Sequence, residues 1–250
     1  MSNASGTEFI KLLKYVEKSF ENKPSFLILM SDNKEYISNG CVFVENTLEN
    51  RESLIARYGC KKYLDELLTS KDSDMGEVAD ASGMFWGSIL TEFNGDMSNV
   101  IDASYMFYES KLTVFNSDMS NVTNAHCMFC GTNLAEFNSD MSNVADASSM
   151  FSRSNLTEFN SDMSNVTDAG FMFSRSSLTK FNSDMSSVTD ASSMFSRSNL
   201  TKFNSNMSNV TDASGMFYCS SLTEFNGDMG SVTYDYDMFY GSKLRGHCED

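Results

Sequence analysis

Apolar residues recur along most of this chain at a fixed interval of 22 residues. From Val78 to Leu244, one pattern of apolar and polar positions is repeated about eight times. A single column of aromatic residues illustrates the spacing: Phe93, Phe115, Phe137, Phe159, Phe181, Phe203 and Phe225. A fixed period of this length is typical of solenoids, in which each repeat buries its apolar side chains only against its neighbours. The pattern therefore predicts an elongated repeat fold.

Within one repeat, the apolar positions fit neither a long helix nor a long strand. Between Leu156 and Phe173 most of them are three or four residues apart, and Met172 is adjacent to Phe173. We therefore predict a coil made of a very short strand, a turn, a helical turn and a second turn. Asp168 is predicted to be the N-cap of the helical turn. Stacked coils of this kind predict an α/β-type solenoid with a parallel sheet, its strands about 4.8 Å apart.

The first part of the chain lacks the repeat. Residues 1–75 predict a small α+β capping domain, and residues 76–250 form the predicted solenoid. An open solenoid end would expose apolar residues and unpaired backbone groups, so we expect the first domain to cover the first coil.

Local patterns in the capping domain predict five elements. Asn39–Gly40 favours a hairpin turn between the last two of the predicted strands. Helical spacing of apolar residues indicates the helices, and apolar or alternating runs indicate the strands. The predicted elements are helices at 9–20 and 50–70 and strands at 25–30, 35–38 and 41–45.

The charge of the chain is strongly negative and uneven. The formal net charge is −16, and residues 76–250 carry eight Lys and Arg against 22 Asp and Glu, which gives −14. Such a surface repels phosphates, so the charge argues against nucleic-acid binding. It favours a basic protein partner, whose approach the field would steer. The alternative is that the charge only keeps an elongated protein in solution.

Cysteine usage and the N-terminal sequence predict a cytoplasmic location. The six cysteines follow no disulfide-framework spacing, which favours free thiols in a reducing compartment. The N-terminus lacks the layout of a secretory signal, and no apolar run is long enough to span a membrane. Secretion or a cell-surface location is the alternative if a signal peptide has been removed.

Two polar columns follow the phenylalanine of each repeat. An asparagine recurs from Asn94 to Asn226, and stacked amides can hydrogen-bond along such a column. We expect the acidic side chains two residues further on to accept backbone N–H groups in local turns. Capture of a basic partner is the second interpretation, and Ca²⁺ binding is the third. The candidate partner-binding residues of this acidic column are Asp118, Asp140, Asp162 and Asp184.

Two variable columns supply the other candidate contacts with a protein partner. Any solvated face also varies, so a surface without a binding role is the alternative. The column after the Met-Phe pair contains residue types typical of binding hot spots: Trp86, Tyr108, Arg153, Arg175, Arg197 and Tyr218. The column before the strand phenylalanine contains charged candidates: Glu136, Glu158, Lys180 and Lys202.

Motifs for catalysis or metal binding are sparse. His126 with Cys127 and Cys130 resembles part of a zinc site, but the chain has no second Cys-x-x-Cys motif and His247 is distant in sequence. The chain also lacks a glycine-rich phosphate loop and a nucleophile motif. We therefore predict no metal, no cofactor and no enzymatic activity.

The last repeat departs from the pattern. Tyr234, Tyr236 and Tyr240 are crowded into it, and the residues after Leu244 no longer follow the period. This end is either a closing cap or the surface of an end-to-end dimer.

One motif of the repeat carries a family resemblance. Asn-Val-Thr-Asp-x-Ser-x-Met-Phe occurs, with small variations, at residues 99–107, 143–151 and 209–217. It resembles the signature of the BspA-like leucine-rich repeat surface proteins, as do the Phe-Asn-x-Asp segments. The resemblance implies a right-handed leucine-rich-repeat solenoid with a non-catalytic binding role, because members of that family are mostly surface or adhesive proteins.

These observations predict a non-catalytic protein-binding scaffold. The most concrete hypothesis is an intracellular inhibitor of the immunity-protein kind, which covers a basic toxin or nuclease. It depends on the acidic repeats, the free cysteines and the lack of a visible signal sequence. The alternative, favoured by the resemblance, is a secreted or cell-surface BspA-like adhesin.

Overall fold

The computed structural model describes strand residues 27–30, 36–38 and 41–45 together with residues 78–88 and 90–244. The chain divides into two compact parts, Met1–Ser73 and Asp74–Asp250. They are called the N-terminal part and the repeat part below.

The described residues of the N-terminal part form one mixed sheet. Its strands are β1 (Leu27–Met30), β2 (Tyr36–Ser38) and β3 (Cys41–Glu45), in the order β1-β3-β2. Strand β3 is parallel to β1 and antiparallel to β2, with Ser38 opposite Cys41. The three predicted strands are thus confirmed. The two predicted helices and the Asn39–Gly40 turn lie outside the described residues.

The repeat part contains six strands of two residues each. Each consists of an exposed residue followed by the repeated phenylalanine, as expected for a strand with one face in the core. They pair in parallel as β4-β5, β6-β7 and β8-β9. Their bounds are β4 Glu92–Phe93, β5 Val114–Phe115, β6 Glu158–Phe159, β7 Lys180–Phe181, β8 Lys202–Phe203 and β9 Glu224–Phe225.

Each repeat also contains a series of tight turns, which we call the turn wall (residues 169–176 and their equivalents). Alternate N–H groups bond within the repeat, as from Met172 to the Ala169 carbonyl (3.1 Å). The others donate to the next repeat, as from Phe171 to the Ser192 carbonyl (2.8 Å). Nearly every backbone N–H group of the wall is therefore satisfied, and consecutive repeats are held in a fixed register.

The core consists of columns of equivalent apolar side chains. The seven apolar positions of the repeat are all buried: Leu156, Phe159, Met163, Val166, Ala169, Met172 and Phe173. The rings of Phe159 and Phe181 stack with centroids 6.0 Å apart, and Phe137 stacks on the other side at 6.3 Å. Phe173 meets Phe159 edge to face at 4.9 Å. The predicted stacking at intervals of 22 residues is thus confirmed, and the short parallel strand pairs are compatible with a repeat solenoid.

The predicted helical turn is wrong. No helix occurs among residues 78–88 and 90–244, and the segment after Asp168 forms consecutive turns. Phe171 and Arg175 both have φ of 58°, which a right-handed helix does not allow. Stacking is the physical reason, because N–H groups that would bond along a helix bond to the neighbouring repeat instead.

The predicted parallel sheet occurs only as separate pairs of strands. Glu136 and Phe137 form no strand, so the repeat part has three separate strand pairs. Centroids of successive phenylalanine rings are 5.7–6.0 Å apart at the paired strands. The centroids are 6.2–6.4 Å apart between neighbouring repeats whose strands do not pair. Because paired strands need a spacing of about 4.8 Å, we infer that the packed rings interrupt the sheet.

Candidate binding surfaces of the repeat

Between the strand and the turn wall, each repeat contains what we call the acidic segment (residues 161–168 and their equivalents). Its outer acidic column is exposed, and each side chain accepts the N–H of the residue two positions later at 2.8–3.0 Å. Asn206 accepts the same bond from Ser208 (2.9 Å). The predicted local turn is thus confirmed. The role of Asp118, Asp140, Asp162 and Asp184 in partner binding stays a prediction.

The acidic segment ends in an inner column, which includes Asp146, Asp168 and Asp190. Successive members form parallel β-bridges, so half-buried carboxylates follow each other at strand spacing. Burial is the main cause that raises the pKa of Asp168 above its ordinary value of 3.8, and the Asp146 and Asp190 charges add to it. The Gly170 N–H, 2.9 Å from Asp168 Oδ1, acts in the opposite direction.

We expect Asp168→Asn to stabilise the protein at neutral pH. With its pKa raised by folding, Asp168 contributes stability when protonated, and this contribution is lost as the pH rises through the folded pKa. An amide keeps the turn bond, as Asn124 does with the His126 N–H (3.0 Å). Replacing this half-buried carboxylate, which has a charged neighbour on each side, by a neutral amide should raise the free energy of unfolding by roughly 0.2–1 kcal/mol at neutral pH, as measured by urea denaturation. The gain should disappear in acid.

Asp102→Asn is the matched control in the same column. Asn124 Nδ2 already donates to Asp102 Oδ2 at 3.1 Å, so Asp102 has an amide neighbour in place of a third carboxylate. We expect no gain from this change. Equal effects of the two substitutions at neutral and acid pH would contradict the assignment of like-charge repulsion to Asp168.

The charged column on the strand side forms ion pairs across two of the strand joints. Lys180 Nζ lies 3.1 Å from Glu158 Oε2, and Lys202 Nζ lies 2.8 Å from Glu224 Oε2. The hydrogen bond and charge of Glu224 raise the pKa of Lys202, and the same contacts lower the pKa of Glu224. Both lysines are exposed but already partnered, so a binding partner would have to compete with these contacts.

The asparagine column is less regular than the sequence predicts. Asn116 Nδ2 donates to Asn94 Oδ1 (3.0 Å), and Asn226 Nδ2 donates to Asn204 Oδ1 (2.6 Å). Both bonds occur beside paired strands, β4-β5 and β8-β9. The amide ladder is thus confirmed at these two strand pairs.

Two positions of the turn wall have left-handed backbone in every repeat: the residue before the Met-Phe pair and the second residue after it. Eleven of the described residues at these positions are not glycine, and their φ angles lie between 52° and 58°. Such a conformation is unfavourable for most residues. Phe171 and Arg175 adopt it while donating N–H bonds of 2.8 Å to the Ser192 and Ser196 carbonyls. The stacked wall therefore imposes the conformation that presents these side chains to solvent.

An aromatic patch lies at the start of the turn wall and comprises Trp86, Tyr105, Tyr108 and His126. The Trp86 ring lies 4.5 Å from that of Tyr108 and stacks on Tyr105 at 5.6 Å. Tyr105 Oη is 2.9 Å from His126 Nε2. The sequence indicated Trp86 and Tyr108 but missed Tyr105 and His126, which replace the Ser or Gly common at their positions.

Three arginines continue the turn wall. Arg153, Arg175 and Arg197 are exposed, and Arg197 Cζ lies 5.8 Å from the centre of the Tyr218 ring. Within the described residues, none of the three is in an ion pair with a carboxylate. Phe171 is 50% exposed in the same repeat as Arg175 and was not among the predicted contacts. Its signal in the sequence is a large apolar residue in a column of mostly small ones.

The last repeat exposes large side chains. Tyr234, Tyr236 and Tyr240 are 63%, 80% and 62% exposed. The end-to-end dimer proposed from the sequence stays a prediction.

The described part of the chain contains neither a metal-binding cluster nor a helix that could cross a membrane. There, no group of three or more His, Cys, Asp or Glu side chains could hold a metal ion. No helix in that part is long and apolar enough to cross a membrane.

Stacked 22-residue repeats with short parallel strands define this chain as a repeat protein. It belongs to the family described as "Mycoplasma protein of unknown function, DUF285", whose model matches residues 59–180 and 160–244. No curated protein and no solved structure matches the chain. The finer resemblance to BspA-like proteins stays a prediction.

Proposed function

We propose that this protein is a non-catalytic scaffold that binds a basic protein. In its most concrete form it is an intracellular inhibitor of the immunity-protein kind, which covers a basic toxin or nuclease. The scaffold would be a right-handed solenoid similar to leucine-rich repeats, with the acidic segments as the surface that meets the partner.

One observation carries this proposal: the distribution of charge around the repeat. Residues 78–244 contain 19 Asp and Glu, of which 12 lie in the acidic segments. Those segments contain no Lys or Arg, whereas all seven basic residues of the same region lie in other parts of the repeat. A surface with one sign of charge attracts a partner of the opposite sign and raises its association rate.

The geometry of the carboxylates supports a protein partner over a bound cation. Each outer carboxylate uses Oδ1 for its own turn, as in the 2.8 Å bond from the Ser164 N–H to Asp162. Ca²⁺ requires six to eight oxygens around one ion, and stacking in single file does not supply them. At Asp118 and Asp184 the other oxygen, Oδ2, accepts the Ser120 and Ser186 hydroxyls (3.0 and 2.9 Å), and the Lys and Arg side chains of a partner would join or replace these exposed bonds.

The length of the surface also suits a protein. The inner column has eight stacked positions, from Asp80 to Tyr234. At about 4.8 Å per strand spacing this corresponds to roughly 34 Å. An interface of standard size buries about 800 Å² on each partner, which a surface of this length can provide.

We expect the triple variant Asp118→Asn, Asp140→Asn and Asp162→Asn to weaken partner binding about tenfold at low salt, and less at high salt. Asparagine preserves the local turn, as Asn206 shows, so the fold should be unchanged. The partner would be isolated on the immobilised full chain from cells that express the protein, then purified and titrated by calorimetry over a series of salt concentrations.

A second triple variant, Glu92→Gln, Glu109→Gln and Asp237→Asn, serves as the control. It removes the same charge from outside the acidic segments and should leave the affinity within about twofold. Equal weakening by both variants would show that only net charge matters. An acidic partner, or an affinity that does not depend on salt, would contradict electrostatic capture.

A surface adhesin is the second candidate, favoured by the motif at residues 143–151 and its equivalents. The two candidates differ in location. Protease treatment of intact cells should leave an intracellular inhibitor uncut and should degrade an adhesin. Degradation with the membrane intact would reject the inhibitor in favour of the adhesin.

A further inference from the structure

One turn of the wall contains two cysteines. Cys127 precedes the Met-Phe pair and Cys130 follows it. In the other repeats the first position holds Gly, Tyr, Ser, Phe or Asp, and the second holds Trp, Tyr or Ser. Both thiols are free and buried, with 8% and 7% of each residue exposed.

The turn brings the two cysteines within bonding range. The Cys130 N–H donates to the Cys127 carbonyl at 3.2 Å, which closes the turn. Residues at the two ends of such a turn have Cα atoms less than about 7 Å apart, and a disulfide needs about 4.4–6.8 Å. The two thiols are also close enough for each to shift the pKa of the other.

The surroundings make the two thiols unequal. The hydrogen bond from Cys127 lowers the pKa of Cys130, and Ser152 and the Arg153 charge act in the same direction against burial and Glu109. The same hydrogen bond and burial raise the pKa of Cys127. Since the thiolate is the reactive form, Cys130 is placed to react first and Cys127 to react second.

We propose that Cys127 and Cys130 form a redox-active dithiol, which a small organic disulfide oxidises to an intrachain disulfide. Nothing in the proposed binding function requires this chemistry. The modification site would be the turn that contains both cysteines, in the one described repeat that has two.

The reaction is a thiol–disulfide exchange in two steps. The Cys130 thiolate attacks one sulfur of the reagent, the reagent's S–S bond breaks, and one reagent thiol leaves and takes up a proton. Cys127 then gives its proton to solvent and attacks the Cys130 sulfur, which releases the second reagent thiol. Two protein thiols are oxidised to one disulfide, and one reagent disulfide is reduced to two thiols.

The test uses the folded full chain and 2-hydroxyethyl disulfide, with free thiols alkylated at intervals before digestion with trypsin. Peptide 112–153 contains Cys127 and Cys130 as its only cysteines, and peptide 203–243 contains Cys219. Mass spectrometry should show that peptide 112–153 loses two hydrogens and takes up no alkyl group. Cys219, which is exposed, should instead retain the reagent thiol as an adduct.

Cys127→Ser is the matched variant, because it leaves Cys130 without its resolving thiol. Cys130 should then retain the adduct, as Cys219 does. The proposal is overturned if the wild-type peptide 112–153 keeps a stable adduct, or if it remains alkylated at both cysteines after Cys219 has reacted completely. Since these outcomes are read from the wild-type chain, the test does not depend on folding of the variant.

Discussion

Replacing Phe159 by alanine is expected to lower the free energy of unfolding by about 3–5 kcal/mol. Phe159 is fully buried, between the stacked rings of Phe137 and Phe181 and against the edge of Phe173. Each neighbouring ring is held by its own repeat, so we expect little collapse into the space left by the missing ring. Urea denaturation followed by circular dichroism measures the loss.

Phe225→Ala is the control within the same column. Phe225 is only partly buried and belongs to the last strand pair, with Phe203 stacked on one side at 5.7 Å. A smaller loss is expected there, because less area leaves the core and the lesion affects the end of the stack rather than its middle. A loss below about 1 kcal/mol at Phe159 would contradict its place in the core.

Replacing Phe171 by proline is expected to destabilise the protein by about 3 kcal/mol or more. This result would be unexpected for a side chain that is 50% exposed. The reason lies in the backbone: φ of Phe171 is 58°, and its N–H donates to the Ser192 carbonyl at 2.8 Å. Proline imposes φ near −65° and has no N–H to donate. The loss can be measured by the same urea denaturation.

Phe171→Gly separates the backbone from the ring. Glycine also removes the phenyl group, but it adopts positive φ without strain and keeps the N–H, as Gly83 and Gly215 do in the same column. The stability should stay within about 1 kcal/mol of the wild type. If glycine and proline were equally harmful, the ring would be the stabilising feature and our account of the turn wall would be wrong.

Features that depend on nearby residues or on the repeat period could be predicted from the sequence. The seven buried columns follow from apolar spacing, because equivalent residues of a stacked repeat share one environment. The turns at the outer acidic column follow as well, since an aspartate such as Asp162 bonds to a backbone group only two residues away.

Part of the candidate binding surface could not be predicted in this way. Trp86 and Tyr108 stood out by residue type, but the patch they form with Tyr105 and His126 depends on which columns lie side by side on the wall. The pairing of Lys180 with Glu158 depends likewise on which strands are joined.

The amino-acid sequence alone was sufficient to establish the period, the buried positions and the excess of negative charge, because each depends only on residue type and spacing. The three-dimensional structure was needed to show that the predicted helical turn is a series of turns with positive φ at two positions. It was also needed to show that the strands pair only two by two. Both features arise from hydrogen bonds and ring contacts between repeats, 21 or 22 residues apart. The residue types within one repeat do not reveal these interactions, because they form only when repeats stack on one another.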